Sequence, residues 1–264
     1  MKKSLFVLTA ALLAGTAASA ADINSPFYLP TKGGFLSDTN GIYQNLKNGL
    51  RENMLLSEDI AYGVTDKFAV TGTIADAWYL DNPGVTGHDR YDNPAFDLGV
   101  KYNLIDCPKS RVKVQVGANY TQGTMTMIPF PVLNDGLLTF DHHSKSFSGF
   151  VKAGFEVQEG FLPYVTGTVV KPIGKNEEQP TYIGRAGVYK TLTTNLSADA
   201  GVDYAWSSAT SGDGKHGKVL ALDGALNYKL SENTSVGLTG SYVLDVKPGD
   251  YDYYTVGLNF KWAF

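Results

Sequence analysis

Toward the carboxyl terminus apolar side chains fall on every second position: Tyr254, Val256, Leu258, Phe260, Trp262 and Phe264, with Thr255, Gly257, Asn259, Lys261 and Ala263 between them. Successive side chains of a strand point to opposite faces, so this alternation predicts a strand with one apolar and one largely polar face. The same parity recurs upstream in Phe96, Leu98, Val100 and Tyr102, in Val112, Val114, Val116, Ala118 and Tyr120, in Phe147, Val151, Phe155 and Val157, and in Leu220, Leu222, Leu226 and Tyr228. No stretch of useful length carries a helical period. Strands are predicted at Gly34–Lys47, Met54–Val64, Phe68–Trp78, Phe96–Leu104, Arg111–Gln122, Phe147–Val157, Pro163–Lys171, Thr181–Thr191, Leu196–Trp206, Leu220–Leu230, Val236–Val246 and Tyr251–Phe264, about twelve in all.

The connections alternate in length. Short turns fall at Thr65–Lys67, Ile105–Ser110, Glu159–Gly160, Thr193–Asn195 and Glu232–Thr234. Between them lie the longer Tyr79–Asn93, Met125–Ser144, Ile173–Gln179 and Ser207–Gly217, with Asn48–Asn53 and Lys247–Asp250 as shorter members of that set. An even number of strands with alternately short and long connections is the pattern of an outer-membrane barrel, its short turns in the periplasm and its loops outside. Aromatic residues just before the short turns, Tyr62, Tyr102, Phe155, Tyr189 and Tyr228, predict a periplasmic girdle; Trp78, Tyr120, Phe147, Trp206 and Tyr254 predict an outer one.

The closing strand carries a further signal. Thr255-x-Gly257-x-x-Phe260-x-Trp262, ending on Phe264, resembles the carboxyl-terminal assembly signal of Gram-negative outer-membrane β-barrel proteins. The resemblance implies insertion by the barrel-assembly machinery into outer-membrane lipid. At the other end, Lys2 and Lys3, an apolar run Leu5–Ala14 and Ala18-Ser19-Ala20 predict a cleaved secretory signal over residues 1–20, and so passage through the export translocon. The fold expected is therefore all-β: an up-and-down antiparallel transmembrane β-barrel of about twelve strands over residues 33–264. Residues 21–32, with Pro26 and Pro30, fit no strand; they are expected in the periplasm or as a partial plug in the lumen.

Composition agrees with this and narrows the function. The 264 residues carry a net charge of −4, and the signal segment contains two lysines and no acid, so the remainder is more acidic still. No basic surface for nucleic acid is expected. Mean hydropathy is −0.13 although 12% of residues are aromatic, as inward polar and outward apolar positions would give. A single cysteine, Cys107, excludes an internal disulfide and reads as an incidental turn residue. His88, His142, His143 and His216 all lie in predicted outer loops. Only Asp141-His142-His143-Ser144 clusters them, and adjacent strand-like positions point apart, so no metal or catalytic site is expected. Gly-rich Ser211–Gly217 precedes a strand rather than a helix, unlike a phosphate loop.

The chemistry of interest is the charge expected on the inward face: Asp59, Asp97, Glu156, Asp199, Asp203 and Asp223, against Lys101, Lys113, Lys152, Arg185, Lys229 and Lys261. These read either as cross-strand ion pairs filling the lumen or as the lining of a narrow polar conduit. Asp203 and Asp223 are expected at similar height on neighbouring strands, with Arg185 as the cation between them. Two strands resist the parity rule. Arg185 shares its face with Tyr189, which predicts an inward tyrosine or a bulge; Glu58 shares its face with the apolar Ile60 and Tyr62 and has no explanation in the sequence. A narrow passive channel for small hydrophilic solutes, with no enzymatic activity and no cofactor, is the leading expectation. A plugged barrel serving structure or surface interaction is the second, and an outer-membrane hydrolase the third.

Overall fold

The computed structural model describes residues 22–46, 53–79, 95–107, 111–123, 144–173, 180–210, 216–247 and 253–264. Twelve strands follow one another: β1 (Phe35–Leu46), β2 (Asn53–Thr65), β3 (Phe68–Tyr79), β4 (Ala95–Cys107), β5 (Val112–Gly123), β6 (Ser144–Phe155), β7 (Phe161–Ile173), β8 (Thr181–Thr191), β9 (Leu196–Thr210), β10 (His216–Ser231), β11 (Thr234–Lys247) and β12 (Tyr253–Ala263). Each pairs antiparallel with its sequence neighbours, and β12 closes on β1. Closure leaves no sheet edge, which is the condition for strands to cross hydrocarbon with every backbone group bonded.

The seam is held at its short-turn end by the last residue. The Phe264 N–H donates to the Phe35 carbonyl at 2.9 Å and the Phe35 N–H to the Phe264 carbonyl at 2.6 Å. The two rings stack with centroids 5.4 Å apart, and Trp262 packs 4.7 Å from Phe264. Tight turns form where short hydroxyl side chains can replace a ladder bond. Thr65 Oγ1 accepts from the N–H groups of Lys67 and Phe68, and Thr193 Oγ1 from those of Asn195 and Leu196.

Strand β8 has the limits its sequence predicts, whereas β9 and β10 run further than their alternation shows, to Thr210 and from His216. Register shifts at His216/Lys218 and at Leu220/Ala221 break the parity there and hide the extension. Residues 1–21, 47–52, 80–94, 108–110, 124–143, 174–179, 211–215 and 248–252 lie outside the described set. With them go the predicted signal segment, His88, His142, His143 and all but the last residue of the Met125–Ser144 loop.

On the outside Leu98, Val100, Val151, Leu226 and Leu258 are exposed, as lipid-facing side chains must be. Tyr62, Tyr102, Phe155 and Tyr228 stand exposed near the short turns. Tyr189 does not join them. It is 3% exposed, faces the lumen and hydrogen-bonds to Asp22, in a strand whose pairing with both neighbours has no register shift. The girdle therefore lacks a member at β8, and no bulge is present. Glu58 does face outward with Ile60 and Tyr62. Its two oxygens accept from Ser37 Oγ and Thr39 Oγ1 of β1, each at 2.5 Å, so its polar partners come from the outer face of the next strand.

Candidate functional site

Eleven of the twelve charges expected in the lumen lie on the inward parity of their strands and Glu156 falls in the turn after β6, so they do not form one site. Four features emerge: a cluster around Arg185, an acidic row from β1 to β4, a segment across the short-turn mouth, and a rim.

Arg185 on β8 faces Asp203 on β9 in register. Its guanidinium lies flat against the wall because the neighbouring inward position on β9 is Gly201, where a Cβ would come within 2.7 Å of Arg185 Cζ. From there Nη2 reaches Asp199 Oδ1 at 2.7 Å, while Nη1 reaches Asp203 Oδ2 at 3.1 Å and Asp223 Oδ1 at 2.5 Å. Nε donates to the Tyr164 hydroxyl at 3.0 Å, and that hydroxyl donates onward to Asp199. Tyr164 takes this position because Gly187 leaves room for its ring. The cation between Asp203 and Asp223 is thus Arg185, and it serves three carboxylates from two strands, β9 and β10. Five-donor planar guanidinium can do this; a lysine ammonium cannot hold the same fork. Three acids against one base leave the region acidic, and Asp203 Oδ1 is buried with no hydrogen-bond partner among the described residues.

The second feature runs along one hydrogen-bonded row of the sheet. Lys261 on β12 is in register with Asp38, Asp38 with Asp59, Asp59 with Thr73, Thr73 with Asp97, and Asp97 with Thr121. Thr73 Oγ1 donates to Asp59 Oδ1 at 2.5 Å and Asn40 Nδ2 to Asp59 Oδ2 at 3.1 Å. Thr121 Oγ1 donates to Asp97 Oδ2 at 2.8 Å, and Lys261 Nζ lies 3.6 Å from Asp38 Oδ2. Like charges in register oppose one another, and here hydroxyls, an amide and Lys261 offset the repulsion. Lys101 faces inward on the same side of the barrel.

Residues 22–32 lie inside the short-turn mouth and touch strands around most of its girth. Asp22 pairs with Lys229 Nζ of β10 at 2.9 Å and accepts from the Tyr189 hydroxyl of β8. Asn24 Oδ1 accepts from Ser235 Oγ of β11 at 2.9 Å, and the Pro26 carbonyl from Lys152 Nζ of β6 at 2.8 Å. Phe27 is buried against Leu162, Tyr164 and Tyr189, edge-on to Tyr164, with Lys152 Nζ 5.6 Å from its ring centre. Asn103 and Gln115 reach its carbonyl from β4 and β5. The Lys32 N–H donates to Asp66 in the β2–β3 turn at 3.0 Å. Gly63 lets the chain pass: a Cβ there would lie 2.1 Å from the Thr31 carbonyl oxygen.

The rim accounts for the remaining charges. Lys113 pairs with Asp106 across the β4–β5 hairpin at 3.4 Å, and Glu156 Oε1 accepts the Gly160 N–H within the β6–β7 turn. These two therefore serve hairpin ends rather than the middle of the lumen. Asp22, Asp38 and Tyr164 are partners that parity reasoning missed. Asp38 was hidden because the outward face of β1 (Ser37, Thr39, Gly41, Asn45) is as polar as its inward face. Of the terminal motif, Thr255 and Gly257 face inward while Phe260 and Trp262 face outward. Among the described residues no group of His, Cys, Asp and Glu is arranged to hold a metal ion.

No family model and no curated protein matches the chain in sequence. Its fold is that of porin-like outer-membrane β-barrels. It is similar to an outer-membrane channel from Pseudomonas putida F1, with a TM-score of 0.65 over 92% of this chain and 100% of that one at 11% identity. The NanC porin is similar over 85% of this chain and 98% of its own, with a TM-score of 0.55 and 10% identity. The KdgM porin gives a TM-score of 0.51, again at 10% identity, over 84% of this chain and 98% of that one.

Proposed function

We propose that the chain is a narrow passive channel of the outer membrane, exported with a cleaved signal over residues 1–20 and admitting small hydrophilic solutes. The observation that carries this reading is a closed twelve-strand barrel whose inward face is lined by charged and hydroxyl side chains at mid-height. Twelve strands lie between the eight of side-chain-filled barrels and the sixteen to eighteen of open porins. The named channel and porins of similar fold support conduction as the role, though not any particular solute. Selectivity would come from the lumen charge: acids outnumber bases around Arg185 and in the Asp38–Asp59–Asp97 row, whereas Lys113, Lys152 and Lys229 lie toward the short turns. Cations are accordingly favoured in the middle and outer lumen, while Asp22, Asp106 and Glu156 offset the lysines at the periplasmic mouth.

The segment across that mouth supports a second reading, a barrel closed by residues 22–32 that serves structure or surface contact. Single-channel recording separates the two. The reading as a channel expects small, ohmic conductance from the refolded chain lacking residues 1–20, and a larger one when residues 22–32 are also removed. Silence from both proteins would leave the closed barrel as the function.

A further inference from the structure

Residues 22–32 narrow the short-turn mouth, and one of their side chains also reaches toward the charge cluster deeper in the lumen. Phe27 is buried among Leu162, Tyr164 and Tyr189, and its ring meets that of Tyr164 edge-on at 6.2 Å. The Tyr164 hydroxyl joins this apolar nest to the ions. It accepts from Arg185 Nε at 3.0 Å and donates to Asp199 at 2.9 Å.

The wall is recessed for both rings. A Cβ on Gly154 would come within 2.9 Å of Phe27 Cε2, and one on Gly187 within 2.5 Å of Tyr164 Cζ. Lys152 of β6 fixes the same place: Nζ donates to the Pro26 carbonyl at 2.8 Å and lies 5.6 Å from the Phe27 ring centre and 6.0 Å from that of Tyr164. Arg185 Cζ stands 5.7 Å from the Tyr164 ring centre, so that ring attracts two cations as well. Carboxylate oxygens accept from many directions and can follow a guanidinium that turns. The anchor at Nε is different, because together with the two Nη contacts it sets the plane of the fork.

We infer that Phe27 is a positioning residue for Arg185, acting through Tyr164, so that residues 22–32 set the charge presented by the middle of the lumen. The consequence for ions rests on the proposed channel function; the coupling itself does not. With Phe27 in its seat, Tyr164 holds Nε and the guanidinium stays flat over Gly201. Without Phe27 the tyrosine ring has space to turn into, and its hydroxyl leaves both Asp199 and Arg185. The guanidinium then swings off Gly201 toward the lumen axis. Positive charge enters the path and the preference for cations falls.

A double-mutant cycle on the barrel extracted from cell membranes tests this. Phe27→Ala should lower the cation-over-anion permeability ratio about twofold, read as a reversal potential in a salt gradient. In a Tyr164→Phe background, which keeps the ring and removes the hydroxyl, the same replacement should move the potential much less, because the link is already cut. Urea unfolding reads the coupling without any current. The midpoint shifts of Phe27→Ala and Arg185→Met should be non-additive, the pair together shifting the midpoint by less than the sum of the two. Equal potential shifts in both backgrounds, an unmoved potential in a conducting channel, or additive midpoints would overturn the inference. A silent wild-type barrel would defeat the channel reading instead, and the midpoints alone would then decide whether Phe27 positions Arg185.

Discussion

Replacing Arg185 by methionine keeps side-chain bulk over Gly201 and removes the one cation that, among the described residues, touches Asp199, Asp203 and Asp223. The guanidinium and all three carboxylates are largely buried, at 15%, 16%, 2% and 9% side-chain exposure, so water cannot take over most of the lost contacts. Breaking a buried ion pair by removing one partner costs about 3–5 kcal/mol, chiefly through the charge left behind. Here three carboxylates are left and the Tyr164 hydroxyl loses the Arg185 Nε donor, so a loss at the upper end of that range is expected for Arg185→Met. Urea unfolding of the barrel refolded into lipid vesicles, followed by tryptophan fluorescence, reads the loss directly. Adding Asp203→Asn and Asp223→Asn to the methionine variant should return more than half of it, since the amides need no counter-charge. Arg185→Lys should fall between wild type and methionine, because an ammonium cannot span three strands as the guanidinium does. A methionine variant within about 1 kcal/mol of wild type, the size of a solvated surface pair, would refute the reasoning and place the cluster in open water.

Three further outcomes are expected. Asp203→Asn with Asp223→Asn, Arg185 retained, should shift the reversal potential in a salt gradient toward anions; an unshifted potential would mean that ions do not pass this cluster. Gly63→Val should displace residues 30–32, because its Cβ alone would lie 2.1 Å from the Thr31 carbonyl oxygen; protease added from the periplasmic side should then cut that segment several times faster, and unchanged cutting would count against it. Deleting Phe264 removes the stacked ring and both backbone bonds to Phe35, so folded barrel in the outer membrane should drop several-fold, with the strongest loss in assembly rate; normal levels of heat-modifiable protein would count against a role in assembly.

How far the sequence reached depended on whether a feature is local. Parity is local: one face meets lipid and the other the lumen, so most strands could be found from their own residues, and β8 to the residue. The direction of Arg185 was legible because lipid is so poor a solvent for it. Register is not local. Nothing in either segment says that Thr39 lies opposite Glu58, and without that pairing an outward glutamate has no explanation. Residues 22–32 show the same limit over a longer distance. Their prolines deny a strand, but Asp22 finds Tyr189 and Lys229 more than 160 positions away, and no pattern within the segment points to the lumen. Where neither face of a strand is plainly apolar, as in β1, parity itself fails, and both Asp38 in the lumen and the Ser37–Thr39 pair outside were missed for that one reason. The polar outer face of β1 is therefore more than a weak signal. Its Ser37 and Thr39 hydroxyls are the partners that an outward carboxylate needs on a lipid-facing wall.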